Sequence, residues 1–287
     1  MPLKKPTAIL LLSCPDTRGI VAEVSKFVFE NNGNIIHSDQ HTDSQTATYF
    51  MRIEWELDGF SVPAGEIAGI FTPIARKFDM DWSLHFSDYR PKMAVLVSKT
   101  DHCLYDLLLR VKSGELYAEV PAVIGNHDDL KPVAEYFGTR FEYFPVDPSD
   151  KAANERREIE LFDSLGIDII VLARYMQILT GGFVEKYKNR VINIHHSFLP
   201  AFVGAKPYHQ AYSRGVKIIG ATSHYVTADL DQGPIIAQDV TQVSHRDSVE
   251  DLIRKGKNLE KNVLSRAVQL HLEHKIVVFG NKTVIFD

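Results

Sequence analysis

The sequence has 287 residues, 45% of them hydrophobic and 24% charged, with a formal net charge of −5. That length is about twice one domain and the composition is that of a globular protein, so the expectation is two domains with ample core. An acidic balance disfavours nucleic acid as a partner, and two cysteines, Cys14 and Cys103, exclude a disulfide framework or a four-cysteine zinc site and fit a reducing compartment.

The apolar run Ala8-Ile9-Leu10-Leu11-Leu12 opens the pattern. Cys14-Pro15-Asp16 follows it where a small-residue cleavage site would stand, so it reads as a buried strand over 8–13, not a signal peptide. Asp16-Thr17-Arg18-Gly19 then turns into an amphipathic helix with Ile20, Val21, Val24, Phe27, Val28 and Phe29 as its apolar positions. Asn32-Gly33-Asn34 stops that helix, because Gly and Asn accept the left-handed conformation. Strands over 35–41 and 46–55 flank a turn at 42–45, a helix spans 63–78, and a strand spans 80–86. This βαββαβ order is the ferredoxin-like arrangement.

Asp88-Tyr89-Arg90-Pro91-Lys92 reads as a linker, giving domains 1–88 and 89–287. Beyond it, strands over 93–97, 120–124, 140–144, 167–172 and 191–195 alternate with helices over 102–113, 130–137, 151–165 and 182–188. Such alternation implies a mainly parallel, doubly wound α/β sheet with functional groups at the strands' carboxyl ends. Strands over 220–227 and 235–243 and a helix from 248 to about 274 complete the chain. No apolar stretch approaches the ~20 residues that span a bilayer, so the expectation is a cytoplasmic protein with no membrane partner.

The densest chemistry lies in Asn193-Ile194-His195-His196-Ser197-Phe198-Leu199-Pro200. Strand alternation projects Asn193 and His195 together, and an amide beside an imidazole suits a developing oxyanion. Asp231, in the turn Asp229-Leu230-Asp231-Gln232-Gly233-Pro234, is placed to pair with His195, an opposite charge that favours the cationic imidazole. His224 could line the same cleft. Bland readings coexist with these: Asn-x-His occurs on structural strands, and Asp is common in turns. Adjacent His195 and His196 are expected on opposite faces, and no ligand set has metal spacing, so no metal is expected. Lys255, Lys257 and Lys261 read as the solvated face of the long helix.

At these residues the sequence resembles the folate-dependent formyl-transfer enzymes. The longer run from His195 through Ala201-Phe202, with Pro207-Tyr208-His209-Gln210-Ala211, is most similar to the deformylase branch. Residues 8–86 resemble an ACT domain. The resemblance implies a catalytic triad of Asn193, His195 and Asp231. It implies a pterin pocket from Leu172, Met176, Gln177, Ile178, Leu179, His224, Val226, Thr227 and Ala228, although the family often carries arginine at the position of Gln177. The implied substrate is 10-formyltetrahydrofolate, hydrolysed to formate without a cofactor, in one-carbon metabolism and purine biosynthesis. The ACT resemblance implies a homo-oligomer and a small amino-acid effector near Asp16, Arg18, Gly19 and Asn34.

The stretch Ser98-Lys99-Thr100-Asp101-His102-Cys103-Leu104 has no glycine. A glycine-rich phosphate cradle for an acceptor is therefore missing, which favours water as the nucleophile. The rivals are a formyltransferase to an amine and a non-catalytic folate or amino-acid sensor; formate release with no added acceptor separates them.

Overall fold

The computed structural model describes residues 5–147, 150–200 and 207–287, so the motif residues Ala201 and Phe202 lie outside the described residues. The chain divides into two compact units. The first runs to Arg90 and includes Glu273–Phe279 and Val284–Asp287; the second is Pro91–Leu272 with Gly280–Thr283.

The first unit carries β1 (Thr7–Pro15), α1 (Ile20–Glu30), β2 (Ile35–Asp43), β3 (Thr48–Glu56), α2 (Ala64–Lys77) and β4 (Asp81–Phe86). Its four strands form a sheet in the order β2-β3-β1-β4, with antiparallel neighbours throughout. Ile20, Val24, Phe27 and Val28 are the buried positions of α1, a helical stripe facing the core. Val21 and Phe29, expected in that stripe, point to solvent instead. The left-handed residue ending the helix is Asn32. Gly33 is needed for space, since a Cβ there would stand 2.5 Å from Val28.

The C-terminal return was not foreseen. Residues of β12 (Ile276–Phe279) and β13 (Lys282–Ile285) pair as a hairpin, and Phe286, Val277, Phe279 and Val284 form a small core with Leu11 and Phe50. Buried Arg52 secures it by donating from Nε to the His274 carbonyl at 3.0 Å while pairing with Glu54.

The second unit contains β5 (Lys92–Val97), α3 (His102–Ser113), β6 (Glu119–Gly125), α4 (Lys131–Tyr136), β7 (Arg140–Tyr143), α5 (Lys151–Leu165), β8 (Ile169–Leu172), α6 (Gly181–Lys186), β9 (Val191–His195), α7 (Pro207–Arg214), β10 (Ile218–Tyr225), β11 (Ile235–Gln242) and α8 (Val249–Leu272). Helix α7 was not expected from the sequence. Its seven-stranded sheet has the order β11-β10-β9-β8-β5-β6-β7. The pairs β5–β6, β6–β7, β5–β8 and β8–β9 are parallel, whereas β9–β10 and β10–β11 are antiparallel. Near-continuous burial of β5 and β8 is what a sheet covered on both faces requires.

Strand order reverses at β5: the chain builds outward to β7, then returns through α5 to place β8 on the other side of β5. The segments leaving β5 and β8 diverge at such a switch point and open a crevice there. Helix α5 is defined by Asp150, which accepts from the Ala153 amide at 2.9 Å, and by Gly166 with φ 66° beyond its end.

The turn between β10 and β11 folds tightly enough that Gly233 admits no side chain: a Cβ there would lie 1.7 Å from the Tyr225 carbonyl oxygen. Gly233→Ala is expected to cost about 1–3 kcal/mol, the range for forced overpacking. A denaturant melt showing no loss would contradict this account of the turn.

Candidate active site

Residues from β9 and from the segments after β5, β8 and β10 line one cleft of about 630 Å3 in the second unit. Strand β9 ends at His195, and β10 runs antiparallel to it with Asn193 opposite His224 and His195 opposite Thr222. Side chains at opposed positions of antiparallel strands share a face, so the Asn193 amide nitrogen stands 3.3 Å from His224 Nε2. His224 Nδ1 donates to the Tyr225 carbonyl at 2.9 Å. The chain beyond His195 is held by buried Thr222, whose hydroxyl donates to the Ser197 carbonyl and accepts from the Leu199 amide.

Asp231 has φ 56°, a left-handed turn residue, and its carboxylate lies between two imidazoles. Oδ2 is 3.1 Å from His195 Nδ1 and Oδ1 is 3.6 Å from His224 Nε2. Hydrogen bonding to His195, then to His224, holds the Asp231 carboxyl well below the usual carboxylate range, against the opposing effect of burial. His195 is buried. With Nδ1 turned to Asp231, its Nε2 has no hydrogen-bond partner among the described residues, which leaves that atom for a substrate.

Every residue expected in the pocket lines this cleft: Leu172, Met176, Gln177, Ile178, Leu179, His224, Val226, Thr227 and Ala228, beside Asn193, His195 and Asp231. Met176, Ile178 and Leu230 are more than half exposed. Large apolar side chains left exposed at a cleft are the mark of a ligand surface rather than of packing. The Met176 amide donates to Ser98 Oγ at 3.0 Å, so the glycine-free segment after β5 braces the segment after β8.

Several lining residues were not foreseen. His196 was expected to face away from His195, but the strand ends at His195 and its alternation ends too. Both rings line the cleft, with centroids 5.3 Å apart. Burial, with the Arg174 guanidinium, pushes His196 down to about 4, so it is neutral near pH 7. Lys257 also lines the cleft, and Lys255 donates to Asp247; neither is simply solvated surface.

Glu260, on α8, carries the least foreseeable cluster. Its carboxylate accepts from Tyr208 at 2.6 Å, meets His102 Nε2 at 2.7 Å and has Arg174 at 3.5 Å. Burial raises its carboxyl, but these partners outweigh that and leave it below its ordinary value. Among the described residues, His102, Cys103 and Glu260 are grouped closely enough to hold a metal ion. The chemistry fits one poorly. The Glu260 carboxylate is already engaged by the Tyr208 hydroxyl at 2.6 Å and faced by the Arg174 guanidinium, a positive charge beside the place a cation would take.

In the first unit, Asp16, Arg18 and Gly19 lie exposed between β1 and α1, and Gly19 has φ 96°. Asn34 does not turn toward a ligand: its amide donates to Glu56 at 3.1 Å.

A model of the formyl transferase family matches residues 91–268. A formyltetrahydrofolate deformylase from Synechocystis sp. is 54% identical over 98% of both chains, and one from Bacillus subtilis is 48% identical over 97% of this chain and 93% of its own. A crystal structure of a formyltetrahydrofolate deformylase from Pseudomonas syringae pv. tomato superposes with TM-score 0.97, at 46% identity over 100% of this chain and 96% of that one. The chain belongs to the formyltetrahydrofolate deformylase family. A glycinamide ribonucleotide transformylase from Symbiobacterium toebii is more distant, with TM-score 0.66 and 32% identity over 71% of this chain and 98% of its own. The higher similarity to deformylases extends over both units.

Asp231→Asn keeps the side chain's shape and removes its charge. Turnover is expected to fall at least about 100-fold, in the range of a lost acid–base group, with folate affinity nearly unchanged. Because the folded-state carboxyl is depressed, its charge stabilises the native state above the ordinary carboxylate range, and that stability is lost as pH falls below it. Melting curves of the two proteins should therefore converge in acid; a constant gap down to pH 3, or near-normal turnover, contradicts the assignment.

Proposed function

We infer that this chain hydrolyses 10-formyltetrahydrofolate to formate and tetrahydrofolate. The observation that carries the reading is the Asp231 carboxylate set between His195 and His224, with Asn193 alongside, in an apolar-lined cleft. The family's relatives bearing the deformylase name at full length support it.

In this reading the pterin lies against Met176, Gln177, Ile178, Leu179 and the turn at Val226, Thr227 and Ala228. The formyl group then faces Asn193 and His195 Nε2. Water oxygen bonds to the formyl carbon, and the oxyanion is met by the Asn193 amide and by protonated His195. Collapse breaks the bond from carbon to N10, which takes the proton that the attacking water gives up, leaving formate and tetrahydrofolate. Asp231 orients the water and His195. Its depressed pKa makes it a poor final proton acceptor, so it serves better as an anchor and relay than as the store of the water's proton.

No resident metal or redox cofactor has a part in this chemistry. Support comes from the Arg174 guanidinium and the Tyr208 hydroxyl, which already engage Glu260. The N-terminal unit we read as a ferredoxin-like ACT module, responsive to a small amino acid and joining chains into a homo-oligomer in the cytoplasm. Exposed Asp16, Arg18 and Gly19 support an effector contact, whereas Asn34 contributes only by leaving Glu56. No helix among the described residues is long and apolar enough to cross a membrane.

The test is formate release from 10-formyltetrahydrofolate with no acceptor present, before and after exhaustive chelation, with glycine, methionine or serine added in turn. Full activity in the chelated enzyme is expected, and a change in rate with one amino acid. Dependence on an amine acceptor overturns hydrolysis in favour of transfer, restoration by zinc overturns metal independence, and indifference to all three amino acids overturns the effector reading for them.

A further inference from the structure

Behind the segment that follows β8 lie two buried carboxyl groups that the reaction itself does not use. Glu155 and Glu158 are on α5, three residues apart and so on one face of the helix; they are 8% and 2% exposed. Glu155 Oε1 accepts from the Thr180 amide at 2.7 Å, and Oε2 accepts from the Thr180 hydroxyl. Glu158 Oε1 accepts from the Tyr175 hydroxyl at 3.0 Å. The two bonded residues, Tyr175 and Thr180, stand immediately outside Met176, Gln177, Ile178 and Leu179. Thr180 in turn caps α6. A cavity of about 20 Å3 is lined by Glu155, Glu158, Asn154 and Lys151 together with Tyr175, Gln177, Ile178 and Leu179. Among the described residues Glu158 Oε2 and Asn154 Nδ2 have no hydrogen-bond partner.

We propose that Glu155 and Glu158 are positioning residues for the folate substrate, fastening the two ends of the 175–180 segment so that Met176 to Leu179 keep their place in the cleft. The proposal rests on the reading that this segment holds the folate. A buried carboxyl is a costly peg unless its bonds are needed, and these two grip the segment at Tyr175 and at Thr180, on either side of Met176 to Leu179.

The peg is pH-sensitive. Burial pushes Glu158 up to about 7, helped by the neighbouring Glu155 and opposed by the Tyr175 bond. The groups facing it are Glu155 and Lys151 on α5 and Tyr175 on the segment. A group whose buried-state pKa is raised favours the fastened arrangement while protonated. That preference is lost as pH rises from the ordinary carboxyl value through about 7.

The test measures amide exchange over 174–180 and steady-state kinetics in the full chain. Glu155→Ala and Glu158→Ala should each speed exchange there and raise KM about tenfold, the scale of one lost buried bond, with kcat changed less than about twofold. Glu155→Gln, which keeps an acceptor for the Thr180 amide and offers a donor to its hydroxyl, should restore slow exchange and low KM. The wild-type KM should rise as pH goes from the ordinary carboxyl range to about 7 and level off above that, and Glu158→Gln should abolish this rise. Ile178→Asp, at an exposed lining position, tests the folate reading separately. If it raises KM while the glutamate variants do not, the proposal is overturned and the folate reading stands. If it leaves KM unchanged, the folate reading falls and the proposal with it. Faster exchange without a KM effect, or a fall in kcat at unchanged KM as a partly unfolded enzyme would give, also overturns it.

Discussion

The site depends on one carboxylate held by two imidazoles. Asp231 is 3.1 Å from His195 and 3.6 Å from His224, and each contact is delivered by a different part of the fold. His195 is the last residue of a parallel strand. His224 belongs to the antiparallel strand beside it, and Asp231 arrives on the turn that follows. The turn can bring the carboxylate back to His195 only because Gly233 lets it press on the Tyr225 carbonyl. Remove any of these and the imidazole loses the partner that orients it.

Around that pair, the second unit separates polar chemistry from apolar binding. The reversal of strand order at β5 opens the crevice, and the segment after β8 supplies Met176 and Ile178 to it with their side chains largely exposed. Tyr175 and Leu179 tie the segment into the core, while Met176 and Ile178 stay exposed. Its polar fixed points are Ser98, Glu155 and Glu158. Glu260 plays a comparable structural part on another wall, drawing His102, Tyr208 and Arg174 together. Buried carboxyl groups thus help to shape this cleft beside its apolar lining, each accepting from a donor on another segment of the chain.

What the sequence made legible follows from locality. The buried strands β5 and β8 announce themselves as short apolar runs, and α3, α5 and β9 begin and end where their caps and turn residues place them. Asn193 and His195 share a face by simple alternation, which ceases to apply one residue later; His196 was misplaced for that reason. The His102–Glu260 contact joins residues 158 apart, which no local pattern can show. The C-terminal hairpin was missed because its strands are only four residues each, too short for a period to register. That return also alters the domain boundary: a cut at the sequence linker would strip Phe279 and Phe286 from Leu11 and Phe50. The bond from Asn34 to Glu56 was not legible because Glu56 lies across a strand pair.

The account stands on His195 and Asp231 acting as one unit. A double-mutant cycle on kcat/KM, combining His195→Asn with Asp231→Asn, measures that directly. If the carboxylate works through the imidazole, the double variant should be no worse than the more damaged single variant, within about threefold, because the second change removes a partner already idle. Losses that multiply would mean that the two residues act independently, and would contradict the account.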